Sequence, residues 1–211
     1  MKLFALDCES ELIEKGCLAP RLVCMSWARD DKPKPGLAGL GSLVPLLTSY
    51  LDDPNYLLIG ANIPYDWGVL IEHEPDLLRR VFKAYDEGRV RDVHIREQLI
   101  YIKEGVPLEI SRKQVNLGSM TKKYLGFDLD KGADSWRYRY GDLMHTKLAE
   151  WPEEAVNYAT SDAWSTLGVY QKQIERYGID GDLVSPDEKD QVRAAFAMHL
   201  MGAWGVRTDE A

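Results

Sequence analysis

Three short apolar runs constrain the fold that this chain can adopt. Residues 3–8 and 21–28 have the length and composition of buried strands, and turn residues connect them. They are predicted to form an antiparallel hairpin at the start of a sheet. Residues 56–61 form a third run, most simply a central strand. Helix patterns follow these runs, so the sequence predicts an α/β fold: a central mixed sheet with antiparallel first strands, flanked by helices.

The longest predicted helix lies late in the chain. Pro152 occupies its first turn with two glutamates behind it, and Gly178 follows its last residue. Its apolar stripe consists of Ala155, Ala159, Ala163, Leu167, Tyr170 and Ile174. Ser42 is expected to cap an earlier helix. The shorter predicted elements are helices at residues 42–51, 66–72, 75–88, 95–103 and 117–125, and a strand at residues 90–93.

Composition limits the classes of function. The 211 residues carry 26 Lys and Arg against 34 Asp and Glu, a formal charge of −8, so the whole-molecule field argues against a protein that coats DNA. A nuclease remains open, because bound divalent cations neutralise a carboxylate cluster. The three cysteines lack a zinc spacing, which predicts reduced thiols. With no signal-peptide pattern and no apolar run of about 20 residues, we expect a cytoplasmic protein without membrane association.

Asp7 and Glu9 are a candidate metal-binding pair at the end of the first predicted strand. Side chains alternate along a strand, so residues at this spacing project from the same side. Adjacent carboxylates raise each other's pKa, and a hard divalent cation between them makes the arrangement favourable. The alternative is a solvated strand end that leads into a charged loop.

Two further acidic motifs follow. Asn62 and Asp66 come directly after the third apolar run, where ligands of open α/β sheets gather. The simpler alternative is that Asn62 caps a helix and Asp66 is a first-turn acid. Tyr158 and Asp162 are four residues apart on the long helix and share one face at the margin of its stripe. Each motif alone is weak, and their order and context carry the weight.

Together, the three motifs resemble those of the DEDD superfamily of 3′→5′ exonucleases, tyrosine subclass. LDCES resembles the first exonuclease motif, GANIPYDWGVL the second and YATSDAWSTLGVY the third. The segments VRDVHIREQLIYI and LGSMTKKYLG fall where that family has a connecting strand and helices. The resemblance covers residues 1–178 and implies an RNase H-like exonuclease domain.

The resemblance also implies a site for two divalent cations. Asp7 would bridge the cations, Glu9 and Asp162 would complete the shell of the first, and Asp66 would hold the second, partly through water. Tyr158 would stay protonated and orient the attacking water. All-oxygen ligands without a nearby His or Cys favour Mg²⁺ or Mn²⁺ over Zn²⁺.

Candidate substrate contacts lie next to these motifs. Ser10 with Leu12 or Ile13 matches positions where the family contacts the terminal nucleotide, and Asn62 and Tyr65 are expected to touch its phosphate or sugar. Basic groups that mix with aromatic rings elsewhere are typical of single-strand binding, with a solvated helix face as the alternative. These groups are Arg79, Arg80, Lys83, Arg89, Arg91 and residues 136–140.

The last part of the chain, residues 179–211, resembles a linker and the first helix of a family A DNA polymerase, apparently truncated. Residues 185–188 form a predicted capping box that opens a helix from residue 187 to about residue 201. The resemblance implies a proofreading domain that acts on single-stranded DNA 3′ ends during replication in the nucleoid. It also implies a polymerase domain in the same polypeptide, similar to some bacteriophage enzymes.

Three other functions stay open at this point. An RNA-trimming exonuclease of the ribonuclease D kind shares the same motifs. A non-catalytic exonuclease-like module would bind nucleic acid without cleaving it, and an RNase H-like endonuclease would cut internally.

Overall fold

A five-stranded mixed sheet forms the centre of the computed structural model, which describes residues 1–129, 135–178 and 187–206. Its strands are β1 (Lys2–Ser10), β2 (Leu22–Arg29), β3 (Gly36–Gly39), β4 (Tyr56–Gly60) and β5 (Val90–Asp92). Their order is β3-β2-β1-β4-β5, with antiparallel pairing from β3 to β1 and parallel pairing from β1 to β5. The predicted mixed sheet with antiparallel first strands is confirmed.

Helices cover both faces of this sheet. They are α1 (Leu40–Asp52), α2 (Ile63–His73), α3 (Leu77–Asp86), α4 (Val93–Lys103), α5 (Leu108–Gln114), α6 (Leu117–Leu125), α7 (Glu153–Tyr177) and α8 (Glu188–Trp204). Side chains of α1, α2, α3 and α8 pack with Phe4 and Leu6 of β1 on one face. Side chains of α6 and α7 pack with Leu3 and Ala5 on the other face. The central strand β1 therefore contributes to two cores.

The alternation of side chains along β1 determines on which face of the sheet its acidic residues lie. Leu3 and Ala5 face α7, and Asp7 and Glu9 continue the same odd-numbered series. Both carboxylates therefore lie on the α7 side of the sheet, beyond the apolar part of the strand. The register shifts between Glu9 and Ser10, where a bulge ends the regular pairing with β2.

The long helix α7 matches its prediction. Pro152 precedes its first residue, and Gly178 ends it with a positive φ of 83° that favours glycine. The predicted stripe is buried from Ala155 to Tyr170, and Ile174 packs against the same core. Neither this helix nor any other in the described part of the chain is long and apolar enough to cross a lipid bilayer.

Two local predictions differ from the structure. Ser42 does not cap α1, because the helix begins at Leu40 and the Ser42 hydroxyl donates to the carbonyl of Gly39 within the first turn. The helices predicted from the sequence include none at residues 104–116, where the structure contains α5. Its seven residues are too few to show an apolar period. The described residues between α6 and α7 include three short 3₁₀ helices, Trp136–Tyr138, Tyr140–Leu143 and Leu148–Glu150.

Part of the C-terminal prediction falls outside the described residues. This applies to residues 179–186 of the predicted linker, which include Ser185 of the capping box, and to residues 207–211. The described helix α8 begins at Glu188 and extends to Trp204. The division of the chain into two units at residue 178 stays a prediction.

Helix α8 packs directly on the core formed by α1, α2 and α3. Val192 and Phe196 are buried there, and the Phe196 ring stacks on Tyr85 with 4.7 Å between ring centres. At the start of α8, the buried carboxylate of Glu188 lies 3.2 Å from the guanidinium group of Arg96 on α4. Both apolar and charged contacts therefore attach α8 to the sheet domain.

Replacing Phe196 by alanine should destabilise the whole fold, because removing a buried aromatic ring lowers the free energy of unfolding by about 3–5 kcal/mol. Met198 on the same helix is 71% exposed, against 1% for Phe196. Met198→Ala should therefore change that free energy by less than about 0.5 kcal/mol. Urea unfolding followed by circular dichroism measures both changes. Equal midpoints for the two variants would show that α8 does not share the core.

Candidate active site

A stagger between β1 and β4 creates the edge at which the predicted site lies. Parallel pairing of these strands ends at Ala5 and Ile59, and β1 continues beyond that point. There the backbone N–H of Cys8 donates to Oδ1 of Asp66 at 2.8 Å, where a strand neighbour would otherwise supply a carbonyl. The carboxylate of the second motif thus bonds directly to the strand that carries the first.

A buried carboxylate between β5 and α4 holds the turn that leads to Asp66. Asn62 in this turn has a left-handed backbone with φ 65°, which non-glycine residues rarely adopt. Asp92 accepts hydrogen bonds from the N–H groups of Asn62 at 3.3 Å and Ile63 at 2.9 Å. It also accepts from the N–H of His94 at 2.8 Å, which caps α4. Asp92 therefore ties the α2 turn to α4.

The role of Asp92 was missed in the sequence. A sequence signal was present, because Asp92 is an acid near the end of the strand predicted at residues 90–93, and Asp66 likewise comes shortly after a predicted strand. Burial raises the pKa of Asp92, and the donated N–H groups oppose that effect. The side chain of Asn62 makes no capping hydrogen bond, so the simple capping alternative for this residue is wrong.

The elements around this edge enclose a cleft of about 810 Å³. Every residue predicted for catalysis, metal binding or substrate binding lines it: Asp7, Glu9, Ser10, Leu12, Ile13, Asn62, Tyr65, Asp66, Tyr158 and Asp162. Further lining residues are Cys8, Glu11, Ala61, His94, Asn116, Leu117, Gly118, Arg137 and Tyr138. The structure places the predicted residues together, and their individual roles stay predictions.

Three of the carboxylates in the cleft are largely buried. Glu9, Asp66 and Asp162 are 8%, 3% and 9% exposed. Burial raises the pKa of Asp66, and the hydrogen bond from Cys8 offsets this only in part. A nearby divalent cation favours the charged form of such groups, so this environment suits carboxylates that receive a cation.

The carboxylate oxygens that line the cleft form a donor set that fits a hard divalent cation. In the described part of the chain, no three His, Cys, Asp or Glu side chains come close enough together to hold a metal ion. Carboxylate oxygens facing one cleft are nevertheless the ligands that Mg²⁺ and Mn²⁺ prefer.

The expectation that no His or Cys lies near the site is wrong, since Cys8 and His94 both line the cleft. Burial raises the pKa of the Cys8 thiol well above its ordinary value, which keeps the thiol protonated and a poor metal ligand. Burial lowers the pKa of His94, so its imidazole is neutral. The spacing of the motifs gave no sign of His94, which comes from the first turn of α4.

Tyr158 and Asp162 reach the cleft from α7, as their spacing predicts. The ring of Tyr140 packs beside Tyr158 with 6.1 Å between ring centres. Tyr140 is fully buried, and its hydroxyl donates to the carbonyl of Ala155 at 2.7 Å. The 3₁₀ helix Tyr140–Leu143 therefore packs against the ring of Tyr158 through Tyr140.

A pair of hydroxyl side chains lies at the C-terminal end of β1. The hydroxyl groups of Ser10 and Tyr65 are hydrogen-bonded at 2.6 Å, which joins the end of β1 to α2. Burial raises the pKa of Tyr65 to about 12, so the phenol stays protonated. Leu12 and Ile13 follow on the loop after β1 and are exposed at the cleft.

The predicted basic groups separate into three kinds: buried, lining the cleft, and outside the cleft lining. Arg89 and Arg91 are buried and donate to backbone carbonyls, among them that of Leu51 at 2.6 Å from Arg89, so a nucleic-acid role for these two is wrong. Arg137 and Tyr138 line the cleft. Arg139 lies over the ring of Trp136 instead, outside the cleft lining.

A family model described as 3′-5′ exonuclease matches residues 1–175, and the chain belongs to this family. The match extends from β1 almost to the end of α7, so it includes every element that supplies a carboxylate to the cleft. No curated protein matches the chain.

Solved nuclease structures share the fold. Escherichia coli RNase D is 18% identical with a TM-score of 0.61, over 98% of this chain and 50% of that chain, so the present chain spans half its length. Brucella melitensis NrnC with bound Mg²⁺ is 13% identical with a TM-score of 0.64, over 99% and 90%. Trypanosoma brucei RNase D in complex with RNA U12 is 14% identical with a TM-score of 0.59, over 99% and 66%. These likenesses confirm the RNase H-like exonuclease fold.

Replacing Asp92 by alanine should both destabilise the protein and disturb the α2 turn. Each buried N–H that loses its acceptor costs about 1–3 kcal/mol of the free energy of unfolding. Asp53 accepts hydrogen bonds from Asn55 at the surface, so Asp53→Ala is the matched control and should cost about 1 kcal/mol or less. Denaturant unfolding compares the two variants. If they lose the same stability, the Asp92 hydrogen bonds do not hold this turn.

Proposed function

We propose that the chain removes nucleoside monophosphates from the 3′ end of single-stranded nucleic acid by a two-cation mechanism, as in the tyrosine subclass of DEDD exonucleases. The observation that carries this proposal is one cleft lined by Asp7, Glu9, Asp66 and Asp162 together with Tyr158. Membership of the 3′-5′ exonuclease family supports the direction of degradation.

The four carboxylates are the proposed ligands of Mg²⁺ or Mn²⁺. Asp7 would contact both cations, Glu9 and Asp162 would complete the shell of one, and Asp66 would serve the other. Bound divalent cations supply charge stabilisation to a phosphodiester under hydrolysis and lower the pKa of bound water. The protein's part would be to hold four acids from β1, α2 and α7 at one edge. The stagger of β1 and the Asp66–Cys8 hydrogen bond support this for the acids of β1 and α2.

Tyr158 is proposed to orient the attacking water through its hydroxyl. A tyrosine has a reference pKa near 10, so the phenol is protonated at neutral pH and donates a hydrogen bond while accepting another. The packing of Tyr140 limits the positions that the Tyr158 ring can take. The phenol therefore acts by orientation.

The terminal nucleotide is proposed to lie between the β1 loop and α2. Leu12 and Ile13 present exposed apolar side chains at the cleft, where they can separate the last base from its neighbour. Asn62 and Tyr65 face the same space from α2 and its preceding turn and would contact sugar or phosphate. Ser10 would reach the nucleotide from the strand end.

Two substrate classes are in competition. The resemblance of residues 179–211 to the entry of a family A polymerase supports DNA proofreading, with a polymerase domain in the same polypeptide and a role at replicating DNA. The likeness of the fold to RNase D, including a structure with RNA U12, supports RNA trimming. Helix α8 packs on the sheet domain, an arrangement compatible with both.

The deciding experiment uses two oligonucleotides of the same base sequence, one of DNA and one of RNA, each with a 5′ fluorescent label. Release of mononucleotides from the 3′ end is followed with Mg²⁺ and with Mn²⁺. Higher kcat/KM on DNA supports proofreading, and higher kcat/KM on RNA supports the trimming role. Cation-dependent binding without cleavage of either strand would support the non-catalytic module instead, and cuts in a circular single strand would support an endonuclease.

Asp7→Ala and Asp162→Ala should each lower kcat/KM at least about a hundredfold, because loss of a ligand removes several kcal/mol of charge stabilisation in the transition state. Asp128 has a side chain that is 74% exposed and does not line the cleft, so Asp128→Ala serves as the matched control. Thermal melting checks that all three variants fold. Full activity of either cleft variant would reject this site.

Tyr158→Phe should lower kcat by about a hundredfold while KM changes little, since water orientation affects the chemical step more than binding. The phenylalanine ring keeps the packing against Tyr140. Steady-state kinetics on a labelled oligonucleotide measures the two constants separately. An unchanged kcat would remove Tyr158 from the mechanism.

A further inference from the structure

The charge balance of the cleft is strongly negative for a site that receives a polyanion. Among the described lining residues, five carry carboxylates: Asp7, Glu9, Glu11, Asp66 and Asp162. Two divalent cations would supply four positive charges against these five. The scissile phosphate would then be accommodated by the cations, and Glu11 lies 3.7 Å from the guanidinium group of Arg21. The neighbouring phosphates would lie beyond the cations and, in a chain of formal charge −8, would need a positive group of the protein.

Arg137 is the one Lys or Arg among the described lining residues of the cleft. It extends from the short helix Trp136–Tyr138, and its guanidinium group lies over the ring of Tyr138 with 5.2 Å to the ring centre. Both side chains are exposed, and Tyr138 also lines the cleft. A cation beside an exposed aromatic ring is typical of surfaces that bind single-stranded nucleic acid.

The segment that carries Arg137 is held by a buried tyrosine and packs beside Glu11. Tyr140 is fully buried three residues further along, and a Cβ placed on Gly141 would lie 3.7 Å from Cγ of Glu11. Glu11 follows Glu9 by two residues, which corresponds to roughly 6.6 Å of extended chain leading away from the predicted metal ligands. The segment from Arg137 to Gly141 therefore lies beside Glu11, at the periphery of the cleft, and not over the predicted metal ligands.

We infer that Arg137 binds the phosphate on the 5′ side of the scissile one, and that Tyr138 stacks on a base of the same strand. This inference rests on the proposed nuclease function and adds a specificity to it. The enzyme prefers substrates with at least two phosphodiester linkages, because only those place a phosphate at Arg137. Arginine suits this task, since its planar group forms paired hydrogen bonds with phosphate oxygens.

The test uses a tetranucleotide of the sugar type that the wild-type protein degrades better, and the same tetranucleotide with an uncharged methylphosphonate at the second linkage from the 3′ end. Wild-type protein should lose about tenfold to a hundredfold in kcat/KM on the uncharged linkage. Arg137→Gln should lose the same factor on the normal substrate and should no longer distinguish the two. The slope of log kcat/KM against log salt concentration should decrease by about 0.7 for this variant.

Arg139→Gln is the matched control. Arg139 lies two residues away, packs over Trp136 and pairs with Asp142 at 3.8 Å, outside the cleft lining. The Arg139→Gln variant should have the kcat/KM of the wild type, the same discrimination against methylphosphonate and the same dependence of log kcat/KM on log salt concentration. Urea midpoints of both variants verify that each is folded.

Two results would overturn the inference. One is an Arg137→Gln protein as active as wild type, and the other is a variant that still discriminates against the methylphosphonate as strongly as wild type does. Failure of the nuclease function gives a different result, namely a wild-type protein that releases no mononucleotide. In that case fluorescence anisotropy of the 5′-labelled tetranucleotide decides: Arg137→Gln should bind it at least about tenfold more weakly than wild type, and equal binding rejects the phosphate contact.

Discussion

The hydrogen bond from the Cys8 N–H to Asp66 is the interaction on which the site depends. It exists because β1 continues past the last residue that β4 pairs, so a backbone donor in the middle of the sheet is left for a side chain to satisfy. A carboxylate on α2 meets that need and is held against the strand that carries Asp7 and Glu9. The same geometry that satisfies the backbone therefore brings two of the three acidic motifs together.

This arrangement has an electrostatic cost, which protonation of the buried carboxyl groups or a bound cation can reduce. Burial disfavours the charged forms of Asp66 and of Asp92, and each receives backbone N–H groups in partial compensation. Arg91 and Arg96 on the neighbouring β5 and α4 lie against Glu188 and do not line the cleft. Arg137 is the one Lys or Arg among the described residues that line it, against five carboxylates. Such a conflict between stability and local charge is typical of functional sites.

Periodicity accounts for what the sequence could predict. The alternation of β1 placed Asp7 and Glu9 on one side, and the helical spacing of Tyr158 and Asp162 placed them on one face, and both pairs line the cleft. Residue roles that depend on tertiary contacts could not be predicted from periodicity. Arg91 looked like a surface cation, because charge alone does not reveal that carbonyl groups and a carboxylate surround it. The contribution of Asp92 depends on a turn that is adjacent in space but 30 residues away in the sequence, and such a contact leaves no local period.

The junction between β5 and α4 connects the site to the C-terminal helix. Asp92 in this junction points to the α2 turn, while Arg91 and Arg96, one residue before it and four after it, reach Glu188 at the start of α8. Removing α8 would leave two buried guanidinium groups without their carboxylate, which is among the most destabilising changes that a folded protein can suffer. Helix α8 therefore contacts the same junction that presents Asp92 to Asn62 and Ile63, although none of the described residues of α8 lines the cleft.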